Sequence, residues 1–172
     1  VRFRNYLESN PIFLEIKHKM KGRTRKTRIR VDAISETFND RERSFLSKNM
    51  GCDFELVPKL WNSFNRITLV SNMQKDRLTF DFRLAFNWDS NKVVYDNLVI
   101  AELKQETFSR QSEFLDLMKS MMIRPYRMSK YCIGAIELYG KDAIKYNRFK
   151  EKIIKLKQID NHVTTTLSGT KN

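Results

Sequence analysis

VRFRNYLESNPIFLEIKHKMKGRTRKTRIRV, residues 1–31, alternates charged and apolar side chains through three short segments. Arg2 and Arg4 flank Phe3. Glu15, Lys17, Lys19 and Lys21 interleave with Leu14, Ile16 and Met20, and Lys26, Arg28 and Arg30 interleave with Thr27, Ile29 and Val31. Successive side chains of a strand point to opposite faces, so each segment places its cations on one face and its apolar groups on the other. Turn residues at Glu8 to Pro11 and at Lys21 to Arg23 separate the segments, and the second and third are expected to pair as an antiparallel hairpin. The sheet so formed has a hydrophobic back and a cationic front.

Further along, residues 32–50 lose the period of two, and Phe38, Phe45 and Leu46 mark one side of a short helix. A second short helix is expected through Leu60, Trp61 and Phe64. Strand patterning resumes at Asn65 to Ser71, with Arg66 and Thr68 opposite Ile67 and Leu69, and a polar turn follows at Asn72 to Asp76. In Arg77 to Leu84 the set Arg77, Thr79, Asp81 and Arg83 alternates with Leu78, Phe80, Phe82 and Leu84. A short strand at Lys92 to Asp96 and a clearer one at Leu98 to Gln105 complete the β-rich part, the latter with Ile100, Glu102 and Lys104 sharing a face. From Ser109 the pattern is helical. An apolar stripe from Phe114 to Met122 ends before Pro125, Ser129 can cap a helix that stops at Gly140, and a last helix spans Asn147 to Gln158. Strands with one helical insertion followed by helices give an α+β class, expected as one domain over 1–158 with a polar tail at 159–172.

The chain has 172 residues with 33 Lys and Arg against 20 Asp and Glu, a net charge of +13. It is long enough to bury roughly two thirds of its unfolded surface in one core. The charge implies a polyanionic partner: nucleic acid, phosphorylated metabolites, polyphosphate or an anionic membrane surface. Cys52, Cys132, His18 and His162 form no zinc-ligand spacing, so both cysteines are expected as free thiols in a reducing compartment, the cytoplasm. No apolar run is long enough to span a membrane.

A single Lys on an exposed strand is commonly only a guard against edge aggregation. That account weakens when Arg2, Arg4, Lys17, Lys19, Lys26, Arg28, Arg30, Arg66, Arg77 and Lys104 all fall on the front of the expected strands. Strands lie about 4.8 Å apart, and cations crowded at that spacing repel unless an anion sits among them. A sheet curled around its cationic front encloses a lumen suited to a linear phosphate chain, which Arg forks and Lys point charges bind through charge-assisted hydrogen bonds. Glu102 is the candidate carboxylate for a divalent metal bridging the phosphates; its plainer role is an ion pair with Lys104. Nucleic acid is disfavoured, because Phe3, Phe80 and Phe82 fall on the apolar side rather than where bases would stack.

In order, VRFRNY, FLEIKHKM, KTRIRV, FNRITL, DRLTFDF, AELKQE and MSKYCIGA resemble the VTC domain, the polyphosphate polymerase domain of the vacuolar transporter chaperone proteins, within the triphosphate tunnel metalloenzyme superfamily. The resemblance covers about residues 1 to 140. It implies an antiparallel β-tunnel with a cationic lumen, flanked by helices, that binds ATP or another triphosphate and polyphosphate with Mn2+ or Mg2+. On the family's motifs, R-x-R matches Arg2 and Arg4; E-x-K matches Glu15 and Lys17, followed by Lys19; K-x-R matches Lys26, Arg28 and Arg30. Arg66 matches the arginine of the N-R strand, and Arg77, supported by Asp81, that of the following strand. Glu102 matches the metal-binding glutamate, followed by Lys104, and Ser129, Lys130 and Tyr131 match S-K-Y, with Lys130 expected to reach phosphate from a helix N-terminus. The implied roles are catalytic for Arg66, Arg77 and Lys104, phosphate binding for these and the remaining cations, and metal binding for Glu102. On the family's pattern a first strand with E-x-K-Y-type residues is expected ahead of Val1. The tunnel is therefore expected open along one side, with catalysis expected of the full-length protein rather than of this chain. Three activities stay open: transfer of the terminal phosphoryl of ATP to polyphosphate, hydrolysis of triphosphate, and non-catalytic binding of polyphosphate or inositol phosphates.

Overall fold

The computed structural model describes the backbone of the chain except residues 10, 21–22, 52–54, 72–75, 107–108, 110–111 and 169–172, and omits the side chains of 23, 141–142 and 162–168. Cys52, the His162 side chain, most of the turn expected at Asn72 to Asp76 and two residues of the turn at Lys21 to Arg23 lie outside the described residues. The chain divides into two compact units, Val1–Pro58 and Lys59–Asn172. The class is mixed α+β. Among the described residues the strands form two antiparallel sheets, and no closed barrel is present.

In the first unit, β1 (Arg2–Asn5), β2 (Ile12–Met20) and β3 (Arg23–Val31) form an antiparallel sheet in that order. The register sets Arg2 and Arg28 opposite Glu15, Arg4 and Arg30 opposite Phe13, and Lys26 opposite Lys17. Residues directly opposite share a face, so one face carries all of these and the other carries Phe3, Leu14, Ile16, Ile29 and Val31. The apolar face packs on α1 (Asp40–Met50), where Leu14, Ile16, Val31 and Leu46 are buried with Phe38 and Phe45 against them. Local chemistry fixes both ends of α1. Asn39 Oδ1 accepts from the Glu42 amide at 3.0 Å while Glu42 Oε2 accepts from the Asn39 amide at 3.0 Å, a reciprocal capping box. At the other end Gly51, at φ 76°, donates its amide to Ser47 O at 2.9 Å.

In the second unit, β5 (Arg77–Trp88) is the centre of its sheet. β4 (Trp61–Val70) pairs along one edge; β7 (Ile100–Lys104) and β6 (Asn91–Tyr95) share the other. The helix expected through Leu60, Trp61 and Phe64 is instead the start of β4, whose polar and aromatic residues pair with the second half of β5. A bulge interrupts that pairing: between Ser63 and Asn65 the partners jump from Ala85 to Phe82, and Arg83 sits at φ 53°. The extra residue shifts the phase of burial. Thr79 and Asp81 are buried before it, Leu84 and Phe86 after it. The expected alternation that set Leu84 opposite Asp81 is thereby corrected.

Three helices follow: α2 (Glu113–Ser120), α3 (Lys130–Ala143) and α4 (Asn147–Ser168). Phe114 of α2 meets Phe80 edge to face at 6.2 Å between centroids. α3 packs on the other side of the sheet, where Ile133 and Ile136 join Leu84, Phe86, Tyr95 and Leu98 in the core, with Ile153 and Leu156 of α4. The helices therefore do not all cover an apolar back, since α3 lies over the side of β5 that also carries Asp81. Gly134 makes the close approach possible, for a Cβ there would meet Phe86 Cδ1 at 2.3 Å. The α3 helix breaks at Gly140, φ 76° and ψ 178°, where the sequence placed its stop. α4 runs on beyond Gln158. Asp160, expected in a polar tail, accepts the amides of Asn97 and Leu98 at 2.7 and 2.9 Å and so closes the loop before β7.

Candidate functional site

On the front of the first unit the register gathers Arg2, Arg4, Lys17, Lys19, Lys26, Arg28 and Arg30 around one carboxylate, Glu15. Glu15 is 0% exposed. Arg2 donates Nε and Nη2 to its Oε2 at 2.9 and 2.7 Å, and Lys26 lies 2.8 Å from Oε1. Burial alone would raise the Glu15 pKa, but the Lys26 and Arg2 cations held against it outweigh that and keep the carboxyl below its ordinary value. Lys26 is opposite Lys17 in register, so it reaches Glu15 along the diagonal, a distance long side chains span. Arg28 leans the same way and lies 4.4 Å above the centre of the Phe13 ring. Phe13 in turn stands edge-on to Tyr6, whose ring carries Arg4 at 4.5 Å.

The second unit repeats the plan with different residues. Asp81, 1% exposed, accepts from Arg66 Nε at 2.5 Å and Nη2 at 2.6 Å, and from Lys130, the first residue of α3. Its pKa is likewise held below the ordinary value, because the Arg66 and Lys130 hydrogen bonds outweigh the penalty of burial. Lys130 and Arg66 also lie over the Phe64 ring, at 4.5 and 5.1 Å. Ser129 accepts from the Cys132 amide at 3.4 Å and so starts α3 where Lys130 can reach the sheet. On the same sheet face Lys104 is opposite Arg77, and Glu102 is opposite Thr79. Glu102 and Lys104 are 52% and 54% exposed and 3.6 Å apart, a loose surface pair that solvent competes with.

Each sheet thus brings its expected cations to one face, and a buried acid there takes two cations, Arg2 and Lys26 on Glu15 and Arg66 with the helical Lys130 on Asp81. Two features of this arrangement escape a reading of the sequence, the burial of Glu15 and the joining of Arg66 and Lys130 through Asp81; a third, the Phe13 ring on the charged face, is legible there. Phe3, Phe80 and Phe82 lie away from the cations as expected, but Phe13 does not. Its place on the front follows from the period of two that puts it in phase with Glu15 and Lys17.

Among the described residues no three His, Cys, Asp or Glu side chains gather as a ready-made metal cage. Glu102, open to solvent beside Lys104, fits the role of a single protein ligand, the arrangement Mg2+ takes when phosphate oxygens and water complete its shell. Cys132 is a free thiol, and no described helix is long and apolar enough to cross a membrane.

A model of the VTC domain family matches residues 1–139. No curated protein and no solved structure matches the chain.

Proposed function

Because the chain belongs to the VTC domain family, which is linked to polyphosphate metabolism, we propose that it is a polyphosphate polymerase-like phosphotransferase. The reading rests on one observation: besides Arg2 and Lys26, which pair with Glu15, the same face carries Lys19, Arg28 and Arg30, held at strand spacing. A chain of phosphates is the anion whose repeat matches a row of cations, and it relieves their mutual repulsion.

In the proposed reaction a terminal oxygen of polyphosphate attacks the γ-phosphorus of ATP, the bond from that phosphorus to the β–γ bridging oxygen breaks, and ADP leaves. The protein forms no covalent bond. Arg66, Arg77 and Lys104 hold the transferring phosphoryl group and oppose the charge that develops on it. Arg2, Arg4, Lys17, Lys19, Lys26, Arg28 and Arg30 on the first unit, and Lys130 on the second, bind phosphate groups through charge-assisted hydrogen bonds. Glu102 would hold Mn2+ or Mg2+, which would supply charge neutralisation to the transferring phosphoryl group. The tunnel implied by the family resemblance belongs to this proposal.

The test is elongation of short polyphosphate by full-length protein with ATP and Mn2+, followed on gels. Chains that lengthen support the reading. Phosphate release without lengthening would replace it with a hydrolase, and binding without either reaction with a holding module. Glu102→Gln is expected to cut turnover while leaving tripolyphosphate affinity within about twofold, since the substitution removes a metal ligand and no cation.

A further inference from the structure

Arg28 presents an anomaly on the front of the first unit. It is directly opposite Glu15, a buried carboxylate, yet Glu15 takes its hydrogen bonds from Arg2 and its second ion pair from Lys26. The Arg28 guanidinium lies instead over Phe13, 4.4 Å from the ring centre. Phe13 occupies a position that alternation assigns to the charged face, between Arg4 and Arg30 in register, and it adds nothing to the buried core of the unit. Its own orientation is fixed by the edge-on contact with Tyr6 at 6.2 Å.

A guanidinium stacked on a ring uses its face and leaves its N–H edge directed outward. Without the ring, the nearest stable position for Arg28 is the Glu15 carboxylate across the strand, where its charge would be neutralised internally. We propose that Phe13 is a positioning residue that keeps Arg28 off Glu15 and presents its N–H fork to a phosphate group. This rests on the phosphate-binding reading of the face, and it adds that an aromatic side chain, rather than another charge, decides how many cations the face offers. The sheet assigns two cations to the acid, and Phe13 withholds the third.

The experiment is tripolyphosphate binding by calorimetry, without metal, for the wild type, Phe13→Leu, Phe13→Tyr, Arg28→Ala and the Phe13→Leu/Arg28→Ala double variant. Arg28→Ala is expected to weaken binding about tenfold, by loss of charged hydrogen bonds. Phe13→Leu is expected to weaken it about fivefold, and Phe13→Tyr, which keeps the ring, to bind as the wild type does. In the Arg28→Ala background Phe13→Leu is expected to change nothing further, because Phe13 acts only through Arg28. Unfolding midpoints of all variants separate loss of positioning from loss of fold. If wild type binds no tripolyphosphate, the phosphate-binding reading itself fails. If wild type binds but Arg28→Ala binds equally well, or Phe13→Leu weakens both backgrounds alike, the positioning role alone is overturned. A Phe13→Leu variant that unfolds leaves Phe13→Tyr and Arg28→Ala to decide: weak binding by a stable Phe13→Tyr, with its ring in place, also overturns it.

Discussion

Asp81 does for the second unit what Glu15 does for the first: it converts two like charges into a fixed pair of arms. Removing it takes from Arg66 and Lys130 the buried acid that they share. Asp81→Ala is therefore expected to destabilise the protein by about 3 kcal/mol in urea unfolding, the lower part of the range for stripping one partner from a buried pair. Both carboxyls have folded pKa values below their ordinary ones, so the stability each contributes is full above the unfolded value, about 4, and is lost as pH falls through the folded value. Unfolding measured down the acid range should show a shallower fall in Glu15→Gln and Asp81→Asn than in wild type. An equal fall would mean that other acids govern acid stability. The alternation of residues 1–31 makes the cations legible in the sequence, yet it says nothing of which cation an acid takes. Lys130 lies 49 residues from Asp81, and only the packing of α3 on β5 joins them.

At the scale of elements, strand periodicity locates the sheets, and Ser129 and Gly140 mark a helix that the structure keeps. Two failures of the reading have physical causes. The start of β4 resembles a helix because Leu60, Trp61 and Phe64 fall at helical spacing, and the pairing energy that makes it a strand comes from β5, not from its own pattern. The bulge at Arg83 cannot be foreseen from alternation, since an inserted residue looks like any other member of the series. A left-handed backbone at Arg83 tolerates Gly and resists a β-branched side chain, so Arg83→Gly should hold the unfolding midpoint while Arg83→Val lowers it. Gly134→Ala is expected to destabilise by about 2 kcal/mol, because the added methyl enters the Phe86 ring. At α1 the signal was present: Asn39 followed by Glu42 is a capping-box pattern, and Asn39→Ala should remove about 1 kcal/mol.

For the molecule as a whole, a net charge of +13 makes any anion affinity depend on ionic strength. Tripolyphosphate at about 100 times its dissociation constant should raise the unfolding free energy by about 2.7 kcal/mol, and added salt should shrink that shift. A shift indifferent to salt would point away from the cationic faces. The sequence makes the sign and the faces of the charge readable, whereas the division into Val1–Pro58 and Lys59–Asn172 is not, because alternation does not say which sheet a strand will join. One consequence of the Arg83 bulge concerns how such a chain can change. By re-phasing β5 midway, it lets a single strand answer to two structural demands, a charged face from Arg77 to Asp81 and core packing from Leu84 onward. The two halves can then drift separately, so the charges of the face can change without rebuilding the interior that holds it up.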